Sequence, residues 1–223
     1  MLTKFYWMVT KDLVSEFRAR QAWPAMLMLG VLVSFLFSTQ LEGSAEQRSS
    51  LAGMLIWLAI YFAGVLAQHR TFAMEQEEGC WDALRMYPVD TSWIYLAKFT
   101  VNFLALAALQ AVVLSLFVIF SNVPMLDHPL RILTIAGLGN LGLTSVSTLL
   151  GGVWAVNRQG PSMLAFLTLP LAIPVLLGAS EATRMTLGHE SGPLWWRWLG
   201  LLVVFAIVFV AAGIVLFELL IEE

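Results

Sequence analysis

Glu75, Glu77, Glu78, Asp82 and Asp90 crowd the stretch Met74 to Lys98, which lies between two long apolar runs. A charge of this kind costs roughly 2.5 to 3.5 kcal/mol at the centre of a bilayer, so the stretch belongs in water or at the membrane surface. The chemistry such a segment offers is recognition. Its glutamates gather in what would be the first turn of a helix, where the positive end of the dipole favours them, and Pro88 stops the helix soon after Leu84 and Met86. Spacings of three and four then put Cys80, Trp81 and Leu84 on one face, beside an acidic stripe of Glu75, Glu78 and Asp82. A short amphipathic helix with a tryptophan on one side and carboxylates on the other suits a handle that docks a cytosolic partner. The alternative is a solvated loop with Trp81 lying on the lipid surface.

Other chemistry is missing from the sequence. There is no G-x-x-x-x-G-K-[ST] phosphate loop, and Gly137, Gly139, Gly151 and Gly152 fall in or at the end of an apolar run, where glycine serves close helix packing. The chain is therefore expected to be no ATPase and no enzyme on its own. No C-x-x-C-H occurs, the single cysteine Cys80 makes no internal disulfide, and His69, His128 and His189 are all read as loop residues. A heme b carrier needs histidines facing one another inside the bundle. No metal site and no resident cofactor are expected. Asp, Glu, Lys and Arg are absent from the interiors of the apolar runs, where Asn102, Gln110 and Asn140 are the main polar groups, and this argues against an ion-driven carrier. A net charge of -3 without a basic run argues against nucleic acid.

These residues must be positioned by membrane helices. With 59% hydrophobic and 12% charged residues and a mean hydropathy of +0.81, the chain falls in the membrane class. Apolar runs at 22–39, 51–67, 99–121, 132–156, 162–180 and 198–219 are each near the roughly 20 residues that a span requires. Backbone groups in hydrocarbon must bond within their own segment, so these runs are expected to be helices. The fold class is thus all-α: one polytopic transmembrane domain over 1–223, with six spans and a cytoplasmic coupling segment at 68–98. The first run lacks a small-residue cleavage site and is read as a retained span.

Residues 1–21 place Leu2, Phe5, Tyr6, Val9, Leu13 and Phe17 at helical spacing, with Lys4, Lys11, Arg18 and Arg20 on the other faces. That pattern predicts an interfacial helix, or more plainly a basic flank for the first span. With the amino terminus inside, Lys4, Lys11, Arg18, Arg20, Arg70, Arg85, Lys98 and Arg158 lie on the inner side and Arg48, Arg131, Arg184 and Arg197 on the outer side. The bias puts both termini in the cytoplasm. Residues 181–197 form an outer segment whose tryptophans, with Trp198, are read as an interfacial anchor rather than a ligand surface. Pro170 and Pro174 break the fifth span, because each removes a helix donor. The kink is read either as a hinge or as static shape.

The order E-x-x-E-G-x-x-D-x-L-x-x-x-P from Glu75 to Pro88, followed by Leu96-Ala97-Lys98, resembles the loop after the second span in the heme-exporter protein B family. This is the membrane subunit of the cytochrome c maturation ABC transporter. A second block, Leu149 to Thr183, resembles the family in its basic inner turn followed by L-P-L-x-I-P. Cys80 and Trp81 depart from the small hydroxyl and aliphatic residues of that pattern. The resemblance implies an ABC-2-type exporter permease in the bacterial inner membrane. A separate ATPase would dock at Glu75, Glu78, Gly79, Trp81, Asp82 and Leu84 and would carry the ATP. It further implies a second copy of the chain, cytochrome c maturation subunits C and D, an outer heme chaperone, and heme as cargo. Either heme transport or release of the heme-loaded chaperone would then be coupled to ATP hydrolysis. A generic export permease for another substrate, or a scaffold that does not transport, is the alternative.

Overall fold

Apolar surface on both the inward and the outward sides of the helices governs this structure. On the last helix Leu202, Ala206 and Phe217 are buried, while Val204, Ile207, Val208, Val215 and Leu219 are exposed and equally apolar. Helices in water carry charge on their outer faces, and a helix that is apolar all round needs protein or lipid on every side. The computed structural model describes residues 2–18, 22–39, 45–68, 90–121, 125–157, 161–190 and 192–222. Within them run α1 (Leu2–Arg18), α2 (Ala22–Thr39), α3 (Ala45–Gln68), α4 (Thr91–Ser121), α5 (Pro129–Asn157), α6 (Pro161–Leu187) and α7 (Pro193–Glu222), with a 3-10 turn at Met125–Asp127. No strand occurs among the described residues. Three stretches, Thr91–Phe120, Pro129–Val153 and Pro193–Leu219, are long and apolar enough to cross a membrane, and Leu27–Leu36 and Ser49–Gly64 are shorter apolar segments. The chain is an all-α membrane protein.

Side-chain contacts fix the direction of each helix. Phe35 near the end of α2 meets Phe120 near the end of α4. Gly53, early in α3, lies against Ser180, late in α6, and Gly152, late in α5, lies against Phe217, late in α7. From α2 to α7 the helices therefore alternate in direction. One end of the bundle gathers the starts of α4 and α6 and the close of α5 and α7. The opposite end gathers the 3-10 turn and the α6–α7 connection.

The core forms where α3, α4, α5, α6 and α7 meet, around Ile56, Trp57, Leu106, Leu109, Val175 and Leu202. Close approach depends on small residues. A Cβ at Gly139 of α5 would collide with the Trp57 ring, and one at Gly53 of α3 would stand 2.5 Å from the Ser180 carbonyl oxygen of α6. Three amide side chains in the interior bond across helices. Asn102 Nδ2 donates to Thr148 Oγ1 at 3.1 Å, Asn140 Nδ2 to the Phe103 carbonyl at 3.2 Å, and Gln110 Nε2 to the Ala136 carbonyl at 3.3 Å. The three polar residues singled out by sequence thus tie α4 to α5.

Every helix after α1 contains one of the expected apolar runs, but most extend beyond it. α4 begins at Thr91 rather than 99, so the last eight residues of the expected coupling segment are its first two turns. α6 continues through Leu187 rather than ending at 180, so the expected outer segment begins as helix. Both extensions carry polar side chains, Thr91, Ser92 and Lys98 in the one and Glu181, Thr183, Arg184 and Thr186 in the other, yet each has a buried face, and this packing keeps them helical.

Candidate functional site

Asp90 opens α4, its backbone carbonyl accepting the Trp93 amide at 2.9 Å, and its residue type is favoured at a helix start. Two turns on, Lys98 is 3% exposed, with Nζ 2.9 Å from Asp12 Oδ2 of α1. Lys11, largely exposed, adds a contact of 3.2 Å to Asp12 Oδ1. Phe5, Met8 and Asp12, at spacings of three and four, form the face of α1 that meets α4. Phe5 packs edge-on to Trp93 at 5.6 Å between centroids, and Met8 joins the cluster of Ile94, Tyr95 and Phe217. Tyr6 and Trp7 remain exposed on the other side, as an interfacial helix would have them. The helix is thus also a docked element, clamped by a buried ion pair to the two turns that emerge from the acidic segment.

Sequence reading missed this junction. Lys98 was expected in the polar coupling segment, just outside the span that begins at 99, where nothing in the sequence named a partner for it. The signal lay in Asp12, a carboxylate on the same helical face as Phe5 and Met8, where a charge calls for a partner. Tyr95 completes the junction from the α4 side. Its ring stacks on Phe99 and tilts against Phe217, and its hydroxyl lies so close to Gly213 of α7 that a Cβ there would collide with it.

The contact residues expected for an ATPase, Glu75, Glu78, Gly79, Trp81, Asp82 and Leu84, lie outside the described residues. Pro170 and Pro174 both lie inside α6, which continues through them. They are one turn apart, Pro170 exposed and Pro174 half-buried. The missing amides leave the carbonyls of Phe166 and Pro170 without their usual helical donors.

At the opposite end the expected tryptophan anchor is only partly an anchor. Trp196 is exposed, but Trp195 is buried, donating from Nε1 to Thr186 Oγ1 at 3.0 Å with the Arg131 guanidinium 5.6 Å above its ring. Trp57 likewise donates to Thr183 at 3.0 Å. A half-buried indole needs a hydrogen-bond acceptor, and the threonines of the α6 extension supply it. His128 and His189, both at the expected loop positions, face each other with Nε2 and Nδ1 3.1 Å apart.

Between the two ends lies a small cavity within the bundle. The cavity lined by Trp57, Gln110, Met125, Ile135 and Thr183 has room for about one water molecule. The described bundle carries a charged clamp at one end and a histidine pair at the other.

The chain is 29% identical over 176 residues to heme exporter protein B of Pseudomonas aeruginosa, covering 76% of this chain and 77% of that one. It is 23% identical over 177 residues to heme exporter protein B of Paracoccus denitrificans, covering 79% and 81%. The CcmB protein family matches residues 3–217, so the chain belongs to the CcmB family.

Proposed function

We propose that the chain is the six-pass permease subunit of a heme-exporter ABC complex in the bacterial inner membrane, with both termini, the coupling segment and the Asp12–Lys98 junction on the cytoplasmic side. A separate ATPase docks on the segment through Trp81 and Leu84 at the centre and Glu75, Glu78, Gly79 and Asp82 around them. ATP binds to that subunit. The chain acts as a pair of copies beside cytochrome c maturation subunits C and D, and its work is to move heme or to release the heme-loaded chaperone on the outer side. Family membership supports the heme-export part of this reading.

The observation that carries the coupling part is the buried pair of Lys98 and Asp12. A displacement of the docked segment reaches Asp90 first and then the opening turns of α4. Because α1 is fastened to those turns by charge and by Phe5 and Met8, the two helices move together. Pro170 and Pro174 provide a place where α6 bends in response, since two of its carbonyls are already free of helical bonds.

Replacing Trp81 by Ala tests the docking assignment. A buried aromatic anchor in a small interface contributes about 2 kcal/mol or more, so the variant is expected to insert normally, fail to retain the ATPase on purification and stop ATP-dependent cytochrome c maturation. Glu78→Gln, at the rim, costs less and acts chiefly on salt dependence. Normal ATPase capture by a correctly inserted Trp81→Ala variant rejects the assignment.

A further inference from the structure

His189 occupies a backbone position that favours another residue. The end of α6 closes with the Glu190 amide bonded to the Met185 carbonyl at 2.8 Å and the His189 amide to the Thr186 carbonyl at 3.3 Å. This is the paired arrangement in which the residue after the helix takes a left-handed conformation, usually as glycine. Here that residue is His189, at φ 57°, the only residue besides glycine with positive φ among the described residues. Gly188 immediately precedes it, so a glycine was one position away. A side chain at such a position crowds the following carbonyl and is disfavoured. What the position provides is aim. The imidazole is directed at His128, which belongs to the connection between α4 and α5 and is 61 residues away in sequence.

We propose that His128 and His189 form a binding site for one divalent first-row transition-metal ion such as zinc, cobalt or copper. Two imidazole nitrogens bound to one ion at about 2.0 to 2.1 Å stand about 3.0 Å apart at a right angle and about 3.3 Å apart at a tetrahedral angle. The observed separation of 3.1 Å lies between these values. The rings are at 77° to each other, and binding requires each to turn about its Cβ–Cγ bond until both lone pairs leave the line between the nitrogens and meet at the ion. The hydrogen shared between the rings relocates to the outward nitrogen, and both ligands remain neutral, as metal binding requires. His189 is exposed and His128 half-buried, so the point is open to an ion from solvent. Among the described residues no group of three or more His, Cys, Asp and Glu converges to hold a metal, so the site supplies two ligands and leaves the other positions to water or to a ligand from elsewhere. A two-ligand site of this kind holds its ion reversibly.

The test uses the purified full-length chain in detergent, with any affinity tag of histidines removed and Cys80→Ser introduced to eliminate the single thiol. Cobalt is titrated and followed by its visible absorption, and zinc is then added in competition. One ion per chain is expected, with affinity falling at least tenfold in His128→Gln and in His189→Asn. The second change keeps a residue that tolerates the left-handed backbone, so folding is preserved. His128→Cys is expected to retain cobalt and to add a thiolate charge-transfer band, which a merely structural contact would not produce. Absence of cobalt and zinc binding by the parent chain overturns the proposal and leaves the pair as a hydrogen-bonded staple between two connections. Binding that survives both His128→Gln and His189→Asn overturns it as well.

Discussion

Asp12 and Lys98 carry opposite charges in a place where neither is well solvated, and the two do not contribute alike. Removing one member of a buried ion pair typically costs roughly 3 to 5 kcal/mol, because the other charge is left without compensation. Asp12→Asn takes the carboxylate away from an ammonium that is 3% exposed. Lys98→Met leaves Asp12 with Lys11 still at 3.2 Å, and Lys11 is largely exposed and can follow the carboxylate. Asp12→Asn is therefore expected to lower the melting temperature of the detergent-solubilised protein more than Lys98→Met. The double variant Asp12→Leu with Lys98→Met is expected to recover most of the lost stability, since apolar replacement of a buried pair is often neutral or better. If the pair serves coupling, that double variant folds and captures the ATPase but matures cytochrome c poorly. Full maturation by the stable double variant would reduce the pair to a structural contact.

Helix contacts here depend on where glycine allows a neighbour to approach, and the α4–α7 contact is the clearest case. The Tyr95 hydroxyl is buried without a hydrogen-bond partner among the described residues and lies against Gly213. Gly213→Ala is expected to destabilise by about 1 to 3 kcal/mol through overpacking. Tyr95→Phe removes the atom that would clash, together with an unsatisfied polar group, so it is expected to be neutral or stabilising alone and to restore part of the loss when combined with Gly213→Ala. Thermal unfolding of the four proteins checks this, and equal losses for Gly213→Ala with and without Tyr95→Phe would refute it. The existence of the six apolar helices was legible from hydropathy, because no other backbone conformation closes its own hydrogen bonds in lipid. Their ends were not. The turns Thr91 to Lys98 and Glu181 to Leu187 contain Lys98, Glu181, Arg184 and several hydroxyl residues, which hydropathy assigns to water, whereas here Lys98 meets Asp12 and Thr183 and Thr186 accept from Trp57 and Trp195. Partners brought together by folding decide such residues, and a hydropathy window contains no partners. For the same reason His128 and His189 were legible as loop residues but not as a pair.

At the scale of the whole molecule the alternating helices make orientation a single choice between two, since fixing one end fixes the other. Phe35 meeting Phe120, Gly53 meeting Ser180 and Gly152 meeting Phe217 place the starts of α4 and α6 at one end, and Phe5 on Trp93 and Asp12 on Lys98 hold α1 there. The 3-10 turn and the histidine pair lie at the opposite end. In the orientation proposed above the first end is the cytoplasmic one, in keeping with the excess of Lys and Arg that the sequence assigns to that side. Two of the four cations assigned to the other side are engaged by protein, Arg131 over Trp195 and Arg184 with Glu181 at 2.9 Å, so they play a structural part there. Cys80, the single cysteine, makes the choice measurable without a fusion protein. A membrane-impermeant maleimide is expected to label it in inverted vesicles and not in intact spheroplasts. In a Cys80→Ser background a cysteine at Leu126, which is exposed in the 3-10 turn, is expected to give the reverse pattern. Labelling of both positions from the same side would break the six-pass arrangement, because an odd number of crossings would have to be lost between 80 and 126. Exchange of the two patterns would preserve the fold and invert it, placing the acidic segment where no cytosolic ATPase can reach it.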